Sequence, residues 1–295
     1  MLSQIALLGG LITLFALWGR WRRHRFLRTV EVVVLRDVEA SRLGNKRDVR
    51  VFLPPGYHAS NAHYEVLYVN DGQEVDALGL QETLARLTAD RLIRPIIAVA
   101  IPTNDDRLRE YGTSIAPNRA GLGDLAADYE HFIIDELMPF IDGAFRTQPG
   151  ATFTGVSLGG LSAFDIAWNN PDRFATVGVM SGSFWWRAAD DETRIDPGRR
   201  IAHSLVRRAT APPSSRFWFQ AGTRDEVSDQ DGDGVIDAIQ DTLELIDTLR
   251  RAGCPAGDVA YVEVDGGRHD FETWRRVLPA FLTWASTPEP ARRRG

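Results

Sequence analysis

Cysteine is nearly absent: the 295-residue chain has one, Cys254, which excludes an intramolecular disulfide. That scarcity suits a reducing compartment and equally suits an exported protein that needs no crosslink. Basic clusters are missing from the body of the chain. With 34 basic and 40 acidic residues the formal net charge is −6, and the arginine clusters (Arg20, Arg22, Arg23 and Arg25; Arg292, Arg293 and Arg294) lie at the two ends. A nucleic-acid footprint needs clustered basic residues on the folded domain, so no nucleic-acid partner is expected. After residue 28 there is no internal repeat, no low-complexity stretch and no linker, which leaves one domain.

A full-length membrane-spanning run is also lacking. Residues 5–18 are apolar apart from two glycines and Thr13, which is short against the roughly 17–25 residues a bilayer requires. The arginines follow this run, no small-residue cut site is visible, and a cleavable signal has its charge in front. Residues 1–27 are therefore expected to be an uncleaved segment that associates with a membrane through residues 2–18, with an atypical export signal or a misplaced start codon as alternatives. The positive-inside rule leaves the side open for a long domain.

What is present is apolar and periodic. Apolar residues make up 44% and charged residues 25%, enough for a sizeable core. Residues 29–38 and 48–53 alternate and are β-branched, and Pro54-Pro55-Gly56 ends the second run. Residues 65–69, 96–101, 151–156, 175–180, 216–220 and 259–264 complete about eight strands. Helical spacing appears over 80–92, 125–145, 158–168, 236–252 and 271–284, and His131 and His203 fall in helical segments. Alternating strands and helices imply crossovers and a mostly parallel sheet covered on both faces. The catalytic domain is expected over 28–287, with a frayed tail at 288–295.

Gly155-Val156-Ser157-Leu158-Gly159 follows a strand and precedes a helix, the setting in which G-x-S-x-G forms a nucleophile turn of the α/β-hydrolase fold. The turn must be sharp enough to lift the serine hydroxyl above the sheet, so bulky residues two positions to either side would clash. An ordinary glycine-rich strand-to-helix turn is the bland alternative. In this fold the acid and then the histidine follow the serine along the chain. Of six histidines, His269 alone lies after the last strand, in a loop opened by Gly266 and Gly267. There its imidazole can return over the serine as a general base. Asp225, just past the strand at 216–220, is the expected acid, with Glu226 as runner-up. The oxyanion hole needs two backbone N–H groups. Leu158 and Gln73, the latter in Asn70-Asp71-Gly72-Gln73, are the expected donors, though that stretch also reads as a plain tight turn.

These residues resemble the putative esterase family that includes esterase D and enterochelin esterase, over about residues 30–285. Its carriers are Tyr68-Val69-Asn70-Asp71-Gly72-Gln73, Arg107-Leu108-Arg109-Glu110-Tyr111, the serine segment, Met180-Ser181-Gly182-Ser183-Phe184-Trp185-Trp186 and Gly266-Gly267-Arg268-His269. The resemblance implies Ser157, Asp225 and His269 as a triad, and an acyl ester as a small-molecule substrate. It does not imply siderophore hydrolysis, since feruloyl and acetylxylan esterases, thioester hydrolases and mycolyltransferases belong to the same family. Phe184, Trp185 and Trp186 lie just past a strand end, where they either line a substrate pocket or pack the core.

A second pattern is acidic. Asp229-Gln230-Asp231-Gly232-Asp233-Gly234-Val235-Ile236-Asp237 follows the first nine positions of a calcium loop, with Asp229, Asp231, Asp233 and Asp237 offering side chains and Val235 its carbonyl. Position twelve is Gln240 where a bidentate glutamate is the rule. A solvated acidic turn that caps the next helix is the alternative. The expectation is a serine ester hydrolase that needs no cofactor for catalysis and carries a structural calcium ion. The rival readings are an acyltransferase on the same residues and a non-catalytic calcium-binding module.

Overall fold

A computed structural model describes residues 30–188 and 200–287. The N-terminal apolar segment and the tail at 288–295, with the expectations attached to them, lie outside the described residues. Among the described residues no helix is long and apolar enough to cross a membrane.

Eight strands form one sheet in the order β1-β2-β4-β3-β5-β6-β7-β8. They are β1 Glu31–Ala40, β2 Asn45–Leu53, β3 Val66–Asn70, β4 Ile97–Ile101, β5 Ala151–Val156, β6 Phe174–Met180, β7 Arg216–Arg224 and β8 Val259–Arg268. β1 pairs antiparallel with β2 and β2 with β4, while all pairings from β4 through β8 are parallel. Every residue of β3 and β4 is buried, as expected for central parallel strands covered on both faces. β1 is an exposed edge, and it is blunted: its register shifts between Leu35 and Val38, Asp37 takes φ 52°, and Arg36 pairs with Asp48. A bulge with paired charges discourages edge-to-edge association.

Helices cover both faces. α1 (Leu80–Ala89) and α6 (Phe271–Ala285) close a core around Leu84, Leu87, Trp218, Leu278 and Phe281. On the opposite face a continuous helix, α2, runs through Ala126–His131, a π-helical Phe132–Leu137 and Met138–Ala144. It is joined there by α3 (Ser157–Asn169), α4 (Ile201–Arg208) and α5 (Asp237–Arg251) around Phe132, Phe153, Phe164, Phe217 and Leu245. The fold is the α/β-hydrolase architecture that the strand and helix alternation predicts.

The described residues 200–213 include the helical segment expected around His203. Within that stretch α4 buries Ile201, Ala202, His203 and Val206, and the imidazole Nε2 of His203 lies 3.0 Å from the carbonyl oxygen of Asp241 on α5. Packing against α5 stabilises this two-turn helix.

Candidate active site

The parallel strands all point their C-terminal ends one way, so the turns after β3, β5, β6, β7 and β8 meet along one rim. Ser157 stands on that rim as the first residue of α3. Val156 before it is extended, and Ser157 itself has φ 54°. The glycines make this turn possible. A Cβ on Gly155 would lie 2.3 Å from the Gly159 carbonyl oxygen, and one on Gly159 would lie 2.7 Å from Asp71 Oδ2. Asn70, the last residue of β3, donates its side-chain amide to the same Gly159 carbonyl at 2.8 Å and accepts from the Tyr129 hydroxyl at 2.7 Å. The turn is thus braced from the neighbouring strand.

His269 follows β8 directly. Asp270, the next residue, caps α6 by accepting the Thr273 N–H at 2.9 Å, which fixes where the chain turns. The imidazole Nε2 of His269 lies 2.9 Å from Ser157 Oγ, across 112 positions of sequence. Its ring meets the Trp274 indole edge-on, with centroids 5.1 Å apart. Burial holds the imidazole below its ordinary value and the nearby Arg107 charge adds to this, while the Asp225 charge opposes both.

Asp225 is buried just past the end of β7, whereas Glu226 is exposed. The Gly222 N–H donates to Asp225 Oδ2 at 3.0 Å. Burial raises the carboxyl above its usual range, and the Gly222 N–H, the Ser181 hydroxyl and His269 pull it back. No hydrogen bond joins Asp225 to the imidazole: Asp225 Oδ1 is buried without a partner, and the Asp225 charge pushes the imidazole up. The structure therefore brings Ser157 and His269 into direct contact and sets Asp225 beside them.

Leu158 lies in the first turn of α3, where helical N–H groups have no intrahelical acceptor. Gln73 sits in a 3₁₀ turn, Gly72–Glu74, entered through Asp71 at φ 56°. Its side chain is engaged, donating to Asp71 Oδ1 at 3.2 Å and accepting the Thr103 N–H at 3.0 Å. Sequence reasoning missed what holds this turn. Asp71 is buried, gripped by Arg107 through Nε at 2.6 Å and NH2 at 2.8 Å, and its N–H donates to the Tyr111 hydroxyl at 2.9 Å. An acidic residue beside a turn glycine with an arginine one strand later is the available signal, but spacing alone does not pair them.

The aromatic run after β6 divides. Phe184 packs against Phe164 and Phe219 with centroids 5.8 and 5.7 Å apart, and Trp186 is buried over Gly112 and Gly123. Both belong to the core, and the pocket expectation passes to Trp185 alone, which is 47% exposed. In the acidic loop, carboxylate oxygens of Asp229, Asp231 and Asp233 gather within 4.8 Å of one another, a donor set that suits a hard cation. Asp237 turns elsewhere, accepting from the Ser228 hydroxyl at 2.5 Å and the Gln230 N–H at 3.0 Å. Gln240 directs its amide N–H to Asp231 Oδ2 at 2.7 Å, so position twelve donates where a calcium ligand would accept.

The sequence profile of the family described as "Putative esterase" matches residues 40–285. The chain is 27% identical over 248 residues to the iron(III) enterobactin esterase of Escherichia coli O6:H1, covering 81% of this chain and 54% of that protein. It is 25% identical over 255 residues to an endo-1,4-β-xylanase/feruloyl esterase of Xylanibacter ruminicola, covering 80% and 28%. It thus spans less than two thirds of the length of either relative. Among solved structures, an IroE-like serine hydrolase from Shewanella oneidensis superposes with a TM-score of 0.68 at 22% identity, covering 87% of this chain and 80% of that one. With the fold, the serine turn and the profile match in agreement, the chain belongs to the putative esterase family.

Proposed function

We propose that the chain is a serine carboxylic ester hydrolase working through Ser157, His269 and Asp225. The observation that carries this reading is the 2.9 Å approach of His269 Nε2 to Ser157 Oγ at the end of a sharp strand-to-helix turn. Family membership supports it, and so do relatives named for ester hydrolysis.

In this mechanism Ser157 Oγ attacks the ester carbonyl while its proton passes to His269 Nε2. Asp225 stabilises the imidazolium by charge. The N–H groups of Leu158 and Gln73 receive the oxyanion, helped by the first turn of α3. The imidazolium then protonates the departing alkoxide, leaving an acyl group on Ser157. Water, deprotonated by His269, attacks that acyl group, and the acid leaves as the proton returns to Oγ. Relatives named for enterobactin and feruloyl ester hydrolysis make an ester whose acyl part carries an aromatic ring the first substrate class to try, with the exposed Trp185 as a ring that could meet it.

The test is hydrolysis of p-nitrophenyl acetate and butyrate by the full chain and by Ser157→Ala. Loss of about 10³-fold or more in kcat with an unchanged fold is expected. Equal, slow turnover by both proteins would overturn the proposal. Adding a competing alcohol and identifying the products distinguishes transfer from hydrolysis, because both share the acyl-enzyme. We also propose the Asp229–Asp231–Asp233 cluster as a structural calcium site, on its sequence pattern and the gathering of three carboxylates.

A further inference from the structure

Two serines on neighbouring strand ends share an unusual backbone conformation. Ser157 after β5 has φ 54°, and Ser181 after β6 has φ 49°. A non-glycine residue in this region is strained and persists only where its surroundings determine it, which makes it a marker of function. The proposed mechanism explains Ser157 and leaves Ser181 without a role.

Ser181 is buried and held from two sides. Its N–H donates to the Gln220 carbonyl at 2.8 Å, and its Oγ lies 2.9 Å from Trp274 Nε1. An indole N–H can only donate, so Ser181 Oγ must accept there, and its own hydrogen is directed elsewhere. Asp225 is the neighbouring carboxylate whose charged form the Ser181 hydroxyl favours. Trp274 also packs edge-on against His269. It is itself buried one turn into α6, whose start is fixed by Asp270.

We infer that Trp274 and Ser181 are positioning residues of the ester-hydrolysis site: the indole aligns the His269 ring and, through its N–H, turns the Ser181 hydroxyl onto the Asp225 carboxylate. The inference rests on the proposed triad. It accounts for two otherwise separate facts, the αL serine after β6 and a buried tryptophan placed five residues beyond His269.

The sign of the effect follows from charge. The groups acting on His269 are Asp225, Arg107 and Asp270. A carboxylate that loses a donor becomes more basic and pulls harder on the imidazolium, so the acid limb of kcat/KM moves to higher pH. Trp274→Phe keeps a ring against His269 and removes the N–H. Ser181→Gly removes the hydroxyl and tolerates positive φ.

The experiment measures kcat/KM against pH for p-nitrophenyl butyrate with the full chain, both single variants and the double variant. Each single variant is expected to lose about tenfold in kcat and to move the acid limb up by about half a pH unit. The double variant should be no worse than the poorer single, because both remove one connected path. An unmoved limb, or losses that simply multiply, would overturn the inference. If Trp274→Phe fails to fold, the limb of Ser181→Gly decides alone. A wild type inactive on every ester would instead sink the hydrolase proposal, and activity surviving in Ser157→Ala would sink the triad.

Discussion

Arg107 holds Asp71 through a two-pronged contact, Nε to Oδ1 at 2.6 Å and NH2 to Oδ2 at 2.8 Å, directly beneath the turn that carries Gln73. The pair reaches both sides of the rim. Asp71 Oδ2 occupies the space that a Cβ on Gly159 would need, and the Arg107 charge is one of those that depress the His269 imidazole. One ion pair therefore links the turn after β3, the nucleophile helix and the general base.

Removing the arginine should damage both stability and activity. Arg107→Ala leaves a buried carboxylate without its counter-charge, a change that costs on the order of 3 kcal/mol in comparable buried pairs. Arg107→Lys should recover little, because an ammonium cannot reproduce the planar fork. Urea unfolding checks this, with Asp71→Asn in the Arg107→Ala background as the control. If stability does not return when the orphaned charge is neutralised, charge burial is not the cause.

The pH profile is a second expectation. Burial lowers His269 below its ordinary 6.5, so kcat/KM should rise along an acid limb centred below that pH. Asp225 raises the imidazole, so Asp225→Asn should move the limb lower still while cutting kcat by about 10²–10⁴-fold. A limb that moves upward in Asp225→Asn would show that Asp225 does not face the base as a charge.

Much of this site is legible in the sequence because its signals are local. Ser157 announces itself through glycines two positions away, and the packed backbone at Gly155 and Gly159 shows why nothing larger fits. His269 is found by chain order. The central strands are legible as continuous apolar runs, since both of their faces are covered. What escapes is contact between distant residues. Nothing in the Phe184-Trp185-Trp186 run indicates which ring turns outward, because that depends on Gly112 and Gly123 making room for Trp186. Likewise Trp274 and Ser181 are 93 positions apart, and only the fold brings the indole N–H to the hydroxyl.

The acidic loop gives a third prediction. Calcium should raise the melting temperature by a few degrees relative to chelator, with weak affinity of about 10⁻⁴–10⁻³ M, because Asp237 is engaged by Ser228 and Gln230 and Gln240 donates into the cluster. Asp231→Asn should abolish the effect. Gln240→Glu should strengthen it by replacing that donor with a carboxylate. Isothermal titration reads both, and binding equally tight in wild type and Asp231→Asn would remove the cluster from consideration.

The last prediction concerns a carboxyl outside the chemistry. Asp165 on α3 is buried, accepts the Ser114 N–H at 2.8 Å through Oδ2, and leaves Oδ1 without a partner. Burial pushes it up to about 7, with the Glu130 charge adding to the rise and Ser114 opposing it. The unfolded chain ionises near 3.8. Between those values the folded state holds a proton that the unfolded state has released, so this residue's contribution to stability falls as pH rises from about 4 to 7 and is constant above. Asp165→Asn carries no charge to bury and can keep the Ser114 contact through its side-chain oxygen. Its stability relative to wild type should therefore climb by a few kcal/mol between pH 5 and 8, as measured by urea unfolding at each pH. A constant difference across that range would mean that Asp165 is ionised in the folded protein throughout, and that its unpaired Oδ1 is hydrated.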